Sequence, residues 1–95
     1  MSAVYGRGRW VFRIPDCRSL KDKRRVVIGL RDRVRSRLKV SAAETEYQGD
    51  AQKAEISIAF VSSDATVARR LLDRADDLIA ADPRIYLIDS ESELF

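Results

Sequence analysis

The order in which hydrophobic periodicity changes along the chain constrains its fold more than any other feature. Residues 4–14 alternate, with Trp10, Phe12 and Ile14 on one side and arginines on the other, as in a half-buried strand. Apolar residues then recur at helical spacing as far as Lys39. The predicted apolar stripe of this helix is Leu20, Val27, Leu30, Val34 and Leu38.

Start and stop signals support the same division. Ser19 and Asp22 form an S-x-x-D pattern that favours a helix start, and Asp82-Pro83 ends a second helical stretch. The remaining predicted elements are strands over residues 40–47 and 54–61 and a helix capped by Ser63 or Asp64. A final strand is predicted to start at residue 85 and to include residues 85–89. The order βαββαβ predicts a ferredoxin-like α+β fold. We expect a single domain over residues 1–95, with a four-stranded antiparallel sheet, both helices on one face and the other face open.

Charge is divided by position. Residues 1–39 carry 13 Lys and Arg against 3 Asp, whereas residues 40–95 carry 5 basic and 12 acidic side chains. The formal net charge of +3 is therefore the sum of a strongly basic N-terminal part and an acidic C-terminal part. A basic segment of this kind favours an anionic partner such as nucleic acid.

A continuous string over residues 14–26, IPDCRSLKDKRRV, resembles the signature of the YlxP-like family of small bacterial proteins of unknown function. Further similar positions are Val40, Ser41, Ala43, Glu44, Gln48, Gln52, Ala54, Ile58, Ala59, Val61, Ser62 and Asp64. The resemblance implies a ferredoxin-like fold. Members are typically encoded beside genes for transcription elongation, translation initiation and ribosome maturation, which implies a role near RNA or the ribosome.

The first helix contains the main candidate site. Its candidate nucleic-acid-binding residues are Lys21, Arg24, Arg25, Arg31, Arg35 and Lys39, which fall within about 120° of helical arc. Like-charge pairs such as Lys21 with Arg25 are unfavourable unless an anion binds them. The alternative is that Asp73, Asp76 or Asp77 of the second helix neutralises these groups across the groove, or that water solvates them.

The open sheet face is a second candidate surface. Its candidate interaction residues are Tyr5, Arg7, Arg9, Arg13, Tyr86 and Ile88, and Val11 should face the same way. Aromatic rings and arginines together could bind RNA bases and phosphates. A homodimer that buries Val11, Tyr86 and Ile88 is the alternative.

Catalysis is not expected. The chain has no His and no Asn, and its carboxylates lack metal-ligand spacing, so we predict no catalytic residue, no metal and no cofactor. Cys17 lies beside Arg18 before a helix, where a stabilised thiolate is conceivable, but a small loop residue is the simpler interpretation. Gly6-Arg7-Gly8 lies within a strand, which argues against a phosphate loop.

These features predict a cytoplasmic, non-enzymatic factor that binds structured RNA or the ribosome through its first helix. No membrane segment or signal peptide is evident. The alternative is a homodimeric protein-interaction or small-ligand regulatory domain that uses the open sheet face, a sheet edge or the loop over residues 16–20.

Overall fold

The computed structural model describes residues 2–95. Its elements are β1 (Val4–Arg13), α1 (Leu20–Leu38), β2 (Ser41–Glu46), β3 (Lys53–Ser62), α2 (Ala65–Ala80) and β4 (Tyr86–Leu94). The strands form one antiparallel sheet in the order β2-β3-β1-β4, with β2 and β4 at its edges. The predicted ferredoxin-like α+β fold is confirmed, and β4 continues to Leu94, beyond the segment from which it was predicted.

Local signals start both helices. The Ser19 hydroxyl accepts a hydrogen bond from the Asp22 amide at 3.1 Å, as the S-x-x-D pattern predicts. Of the two caps considered for α2, Asp64 is the one that accepts the amides of Thr66 and Val67. The last turn of α1 ends at Lys39, which adopts the left-handed conformation with φ of 55°.

The core lies between the helices and one face of the sheet. Its strand residues include Trp10, Phe12 and Ile56. On α1 the predicted stripe is buried with one exception, because Leu20 is exposed and Lys23 takes a buried position instead. The four fully buried residues of α2 are Ala68, Leu72, Ala75 and Ile79.

Two glycines of β1 make room for aromatic rings. A side chain at Gly6 would collide with the ring of Phe60, and one at Gly8 would approach the ring of Trp10 to 2.5 Å. Both glycines are buried on the helix side of the sheet. The Gly6-Arg7-Gly8 sequence therefore serves packing in a strand.

Each edge strand contains one irregularity. The register of β4 against β1 shifts between Asp89 and Leu87, so Ile88 is an extra residue. The register of β2 against β3 shifts between Glu44 and Glu46, so Thr45 is an extra residue there. The first shift determines which side chains of β4 reach the open face.

Candidate nucleic-acid interface

The predicted nucleic-acid-binding side chains lie on one flank of α1, with the exposed Ile28 and Asp32 among them. We call this set the basic stripe: Lys21, Arg24, Arg25, Arg31, Arg35 and its C-terminal cap Lys39. The flank faces edge strand β2, because the Arg35 Nε atom donates to the Ala42 carbonyl at 3.0 Å. The structure therefore places the predicted residues on one flank of α1, where Arg35 reaches the β2 edge.

Helix α2 packs against the opposite flank of α1. On that flank Arg33 lies 3.6 Å from Asp82, and Arg37 borders a shallow cavity that it shares with Arg74 and Asp77. The acidic groups of α2 are thus separated from the basic stripe by the body of α1.

Neutralisation of the basic stripe by α2 would require ion pairs between the acids of α2 and the lysines and arginines of α1. Within residues 2–95, neither Asp73, Asp76 nor Asp77 forms an ion pair with any lysine or arginine. Asp76 instead accepts a hydrogen bond from Trp10 Nε1 at 2.9 Å. The acids that do contact α1 arginines are Asp32 and Asp82.

Only part of the basic stripe is occupied by intramolecular contacts. Arg31 pairs with Asp32 at 3.0 Å, and Arg35 approaches the same carboxylate at 3.9 Å. In the described part of the chain, the other four members form no ion pair: Lys21, Arg24, Arg25 and Lys39. All four are exposed. Four positive charges thus remain available to a ligand.

Lys23 lies within the same basic sequence but has a different role. Its side chain is buried, its ammonium lies 3.1 Å from Glu44 Oε2, and it donates to the Tyr47 carbonyl. Tyr47 has a φ of 64°, and its ring stacks under the Lys53 ammonium, 4.3 Å from the ring centroid. This contact fixes the first turns of α1 to the β2–β3 connection.

Gln52 ties that connection to the loop that precedes α1. Its Nε2 atom donates to the Cys17 carbonyl at 3.0 Å, and its own carbonyl accepts the Ile14 amide at 2.9 Å. Sequence reasoning found the positions of Glu44 and Gln52 through the family resemblance but missed their partners. The resemblance to the YlxP-like signature therefore covers residues that hold the start of α1 in place.

Cys17 is buried in this loop. Burial raises the pKa of its thiol, and the nearby carboxylates of Asp22 and Asp16 raise it further. These effects oppose thiolate stabilisation and agree with a structural loop residue. Within residues 2–95 no group of three or more His, Cys, Asp or Glu side chains lies close enough to share a metal ion.

The central arginines of the open sheet face were expected to be available to RNA phosphates. In the structure, carboxylates from β4 lie beside them. Arg7 binds Glu93 and lies 3.4 Å from Glu91. Arg9 contacts Asp89, Glu91 and, from β3, Glu55, at 3.1–3.4 Å. The hydrogen bond to Glu91 is the main cause of the raised pKa of Arg9. Of these β4 acids, Asp89 lies in the predicted segment, whereas Glu91 and Glu93 lie beyond it.

The other predicted open-face residues lie toward its two ends. Arg13 pairs in register with Tyr86, and both are exposed. Tyr5 lies at the opposite end and is also exposed. Val11 faces outward by register, but it is buried, contrary to the expectation of an exposed patch.

The chain matches a protein-family model over most of its length. The model described as a protein of unknown function (DUF503) matches residues 6–92. No curated protein matches the chain. Neither helix in the described residues has a stretch long and apolar enough to cross a membrane.

Proposed function

This chain belongs to the DUF503 family, and we propose that it is a non-catalytic factor that binds the phosphate backbone of structured RNA through α1. One observation carries the proposal. Lys21, Arg24, Arg25 and Lys39 are exposed on the flank of α1 opposite to α2 and have no ion pair within residues 2–95. A polyanion would supply the missing counter-charge.

The energetics of α1 support an anionic ligand. Lys21 lies one turn from both Arg24 and Arg25, and such like-charge neighbours destabilise an isolated helix by about 0.2–0.5 kcal/mol per pair. Lysines in the first turn also oppose the helix dipole. A bound phosphate backbone offsets both unfavourable effects, because its negative charges attract the same lysines and arginines.

The shape of the stripe favours backbone recognition of structured RNA. From Lys21 to Lys39 the helix rises about 27 Å, so the stripe can contact several phosphates along one groove. It contains no aromatic side chain on which unpaired bases could stack. We therefore expect little dependence on base sequence within a duplex.

The finer family assignment suggests which RNA to test first. We propose a YlxP-like assignment on the string over residues 14–26, and that group's gene neighbourhoods favour ribosomal RNA as the target. In this proposal the protein acts in the cytoplasm, near the ribosome.

The test is a fluorescence titration with a labelled ribosomal RNA fragment and a random RNA of equal length, across salt concentrations. One variant combines Lys21→Glu, Arg24→Glu and Arg25→Glu. We expect its log–log salt slope to fall by about 3, roughly one unit for each lost phosphate contact. Binding at low salt should weaken by at least about 100-fold.

The chain offers a matched control on α2. Arg69→Glu, Arg70→Glu and Arg74→Glu make the same change in net charge at exposed positions of the other helix. This control should bind within about fivefold of the wild type. Equal losses of RNA affinity in both triple variants would mean that only net charge matters. That result would overturn the assignment of the binding site to α1. Absence of wild-type binding at low salt would overturn the function.

A further inference from the structure

One end of the open sheet face carries a row of exposed apolar side chains. Tyr5 pairs in register with Val61 on one side, and its backbone exchanges hydrogen bonds with Phe95 on the other, at 3.0 and 2.7 Å. The three residues are therefore opposite one another on the same face. They are 57%, 66% and 65% exposed, respectively.

The other end of the face combines apolar side chains with the basic residues Arg13 and Lys53. Tyr86 and the extra residue Ile88 are both exposed there. Val11 lies between the two ends, and although it is buried it is not part of the core cluster under the helices. Apolar groups thus occur along the length of this face.

Charges of opposite sign nearly cancel over the face as a whole, although Arg13 and Lys53 lie at the Tyr86 end and Glu46 of β2 adds one further acid. The strands β3, β1 and β4 contribute four basic side chains, Arg7, Arg9, Arg13 and Lys53, and four acidic ones, Glu55, Asp89, Glu91 and Glu93. The ion pairs of Arg7 and Arg9 use all four acids. A polyanion would meet these carboxylates, and a basic partner would have to displace the arginines.

We propose that the occupant of this face is the same face of a second copy of the chain. A second copy offers a nearly neutral face with apolar groups along its length, so neither partner presents a large net charge to the other. The sheet face measures about 19 by 30 Å from the strand spacing and rise. Two such faces bury roughly 1,200 Å², the lower limit of stable interfaces.

The arrangement has a consequence for the basic stripe. Both helices pack on the other side of the sheet, so a face-to-face dimer leaves α1 of each copy exposed. The dimer would present two basic stripes on opposite outer surfaces. Dimerisation and RNA binding are therefore compatible, and each can fail without the other.

The test is sedimentation velocity without RNA, from about 1 µM to about 500 µM, with Val61→Glu as the variant. We expect the wild type to pass from monomer to dimer in this range and to remain dimeric in high salt. Val61→Glu should raise the dissociation constant at least tenfold, because a carboxylate would be buried without a partner.

Val67→Glu is the matched control, since Val67 is 52% exposed on α2. It should dimerise like the wild type. If Val61→Glu fails to fold, Tyr86→Glu at the opposite end of the face should raise the dissociation constant in the same way.

Two results would overturn the proposal. The first is a wild-type monomer at all concentrations, and the second is equal dimerisation of the Val61 and Val67 variants. If the wild type is a monomer and its RNA affinity falls on Val61→Glu, the face is assigned to RNA.

Discussion

The ammonium of Lys23 lies 3.1 Å from Glu44 Oε2, and the lysine side chain is 2% exposed whereas that of the glutamate is 23% exposed. Within the described residues, Glu44 Oε2 is a buried oxygen without a hydrogen-bond partner, so its main compensation is the charge of Lys23. The pair joins α1 to β2 at the base of the basic stripe. It separates Lys23, which supports the fold, from its neighbours Lys21, Arg24 and Arg25, which form no ion pair within residues 2–95.

Lys23→Met should therefore destabilise the protein by about 3 kcal/mol, because it leaves the Glu44 carboxylate and the Tyr47 carbonyl without their partner. Lys21→Met, at an exposed position, should change the free energy of unfolding by less than about 0.5 kcal/mol. Urea unfolding measures both. Adding Glu44→Met to Lys23→Met should recover part of the loss, and equal effects of the two lysine substitutions would contradict the role of the pair.

Glycine substitutions should have opposite effects in β1 and α1. In Gly8→Ala the new methyl group would approach the Trp10 ring to 2.5 Å and Leu72 to 3.4 Å, which should cost about 1–3 kcal/mol. Gly29→Ala meets no atom within 4 Å and should stabilise the helix by up to about 1 kcal/mol. Thermal unfolding of the two variants gives the comparison. A neutral Gly8→Ala would show that Trp10 can move aside.

The charge of Asp82 should make the free energy of unfolding depend on pH in acid. Hydrogen bonding from Arg84 is the main cause of its lowered pKa, with attraction from Arg84 and Arg33 in addition. Because the folded pKa lies below the unfolded value of about 3.9, Asp82 stabilises the fold above that pH and loses this effect as pH falls through the folded pKa. Asp82→Asn should cost about 1.5–3 kcal/mol at neutral pH, and the difference from the wild type should shrink below about pH 4.

Urea unfolding at a series of pH values measures this difference, with Asp73→Asn as the control. Asp73 is exposed and forms no ion pair within residues 2–95, so its substitution should give a small difference at every pH. A difference for Asp82→Asn that stays constant down to pH 2 would contradict the role of its charge.

The fold was predictable because its signals are local. Alternation around Trp10 and Phe12, the Ser19 cap and the Asp64 cap all report short-range backbone preferences, and the structure confirms each of them. The basic stripe was predictable for the same reason, since helix geometry alone places Lys21 beside Arg24 and Arg25. Which flank of α1 receives α2 depends on packing between distant segments, so the separation of Asp73 and Asp77 from the stripe was not evident.

The open face was harder to predict because its charge depends on one extra residue. Continuing the alternation from Tyr86 without interruption would turn Asp89 and Glu91 toward the helices. The shift at Ile88 instead brings Asp89 opposite Val11 and Glu91 opposite Arg9. Period-2 reasoning cannot locate such a shift, and the carboxylate partners of Arg7 and Arg9 were missed for that reason.

The extra residues Thr45 and Ile88 also limit how the sheet can grow. They interrupt β2 and β4, the two strands whose outer edges could recruit a strand from another molecule. Arg35, bonded to the Ala42 carbonyl, adds a charged group beside the β2 edge. Extension of the sheet from molecule to molecule, which leads to fibres, is thus disfavoured at both edges. If the open sheet face forms the closed dimer proposed above, these edges reduce the risk that its apolar surface leads to open-ended aggregation.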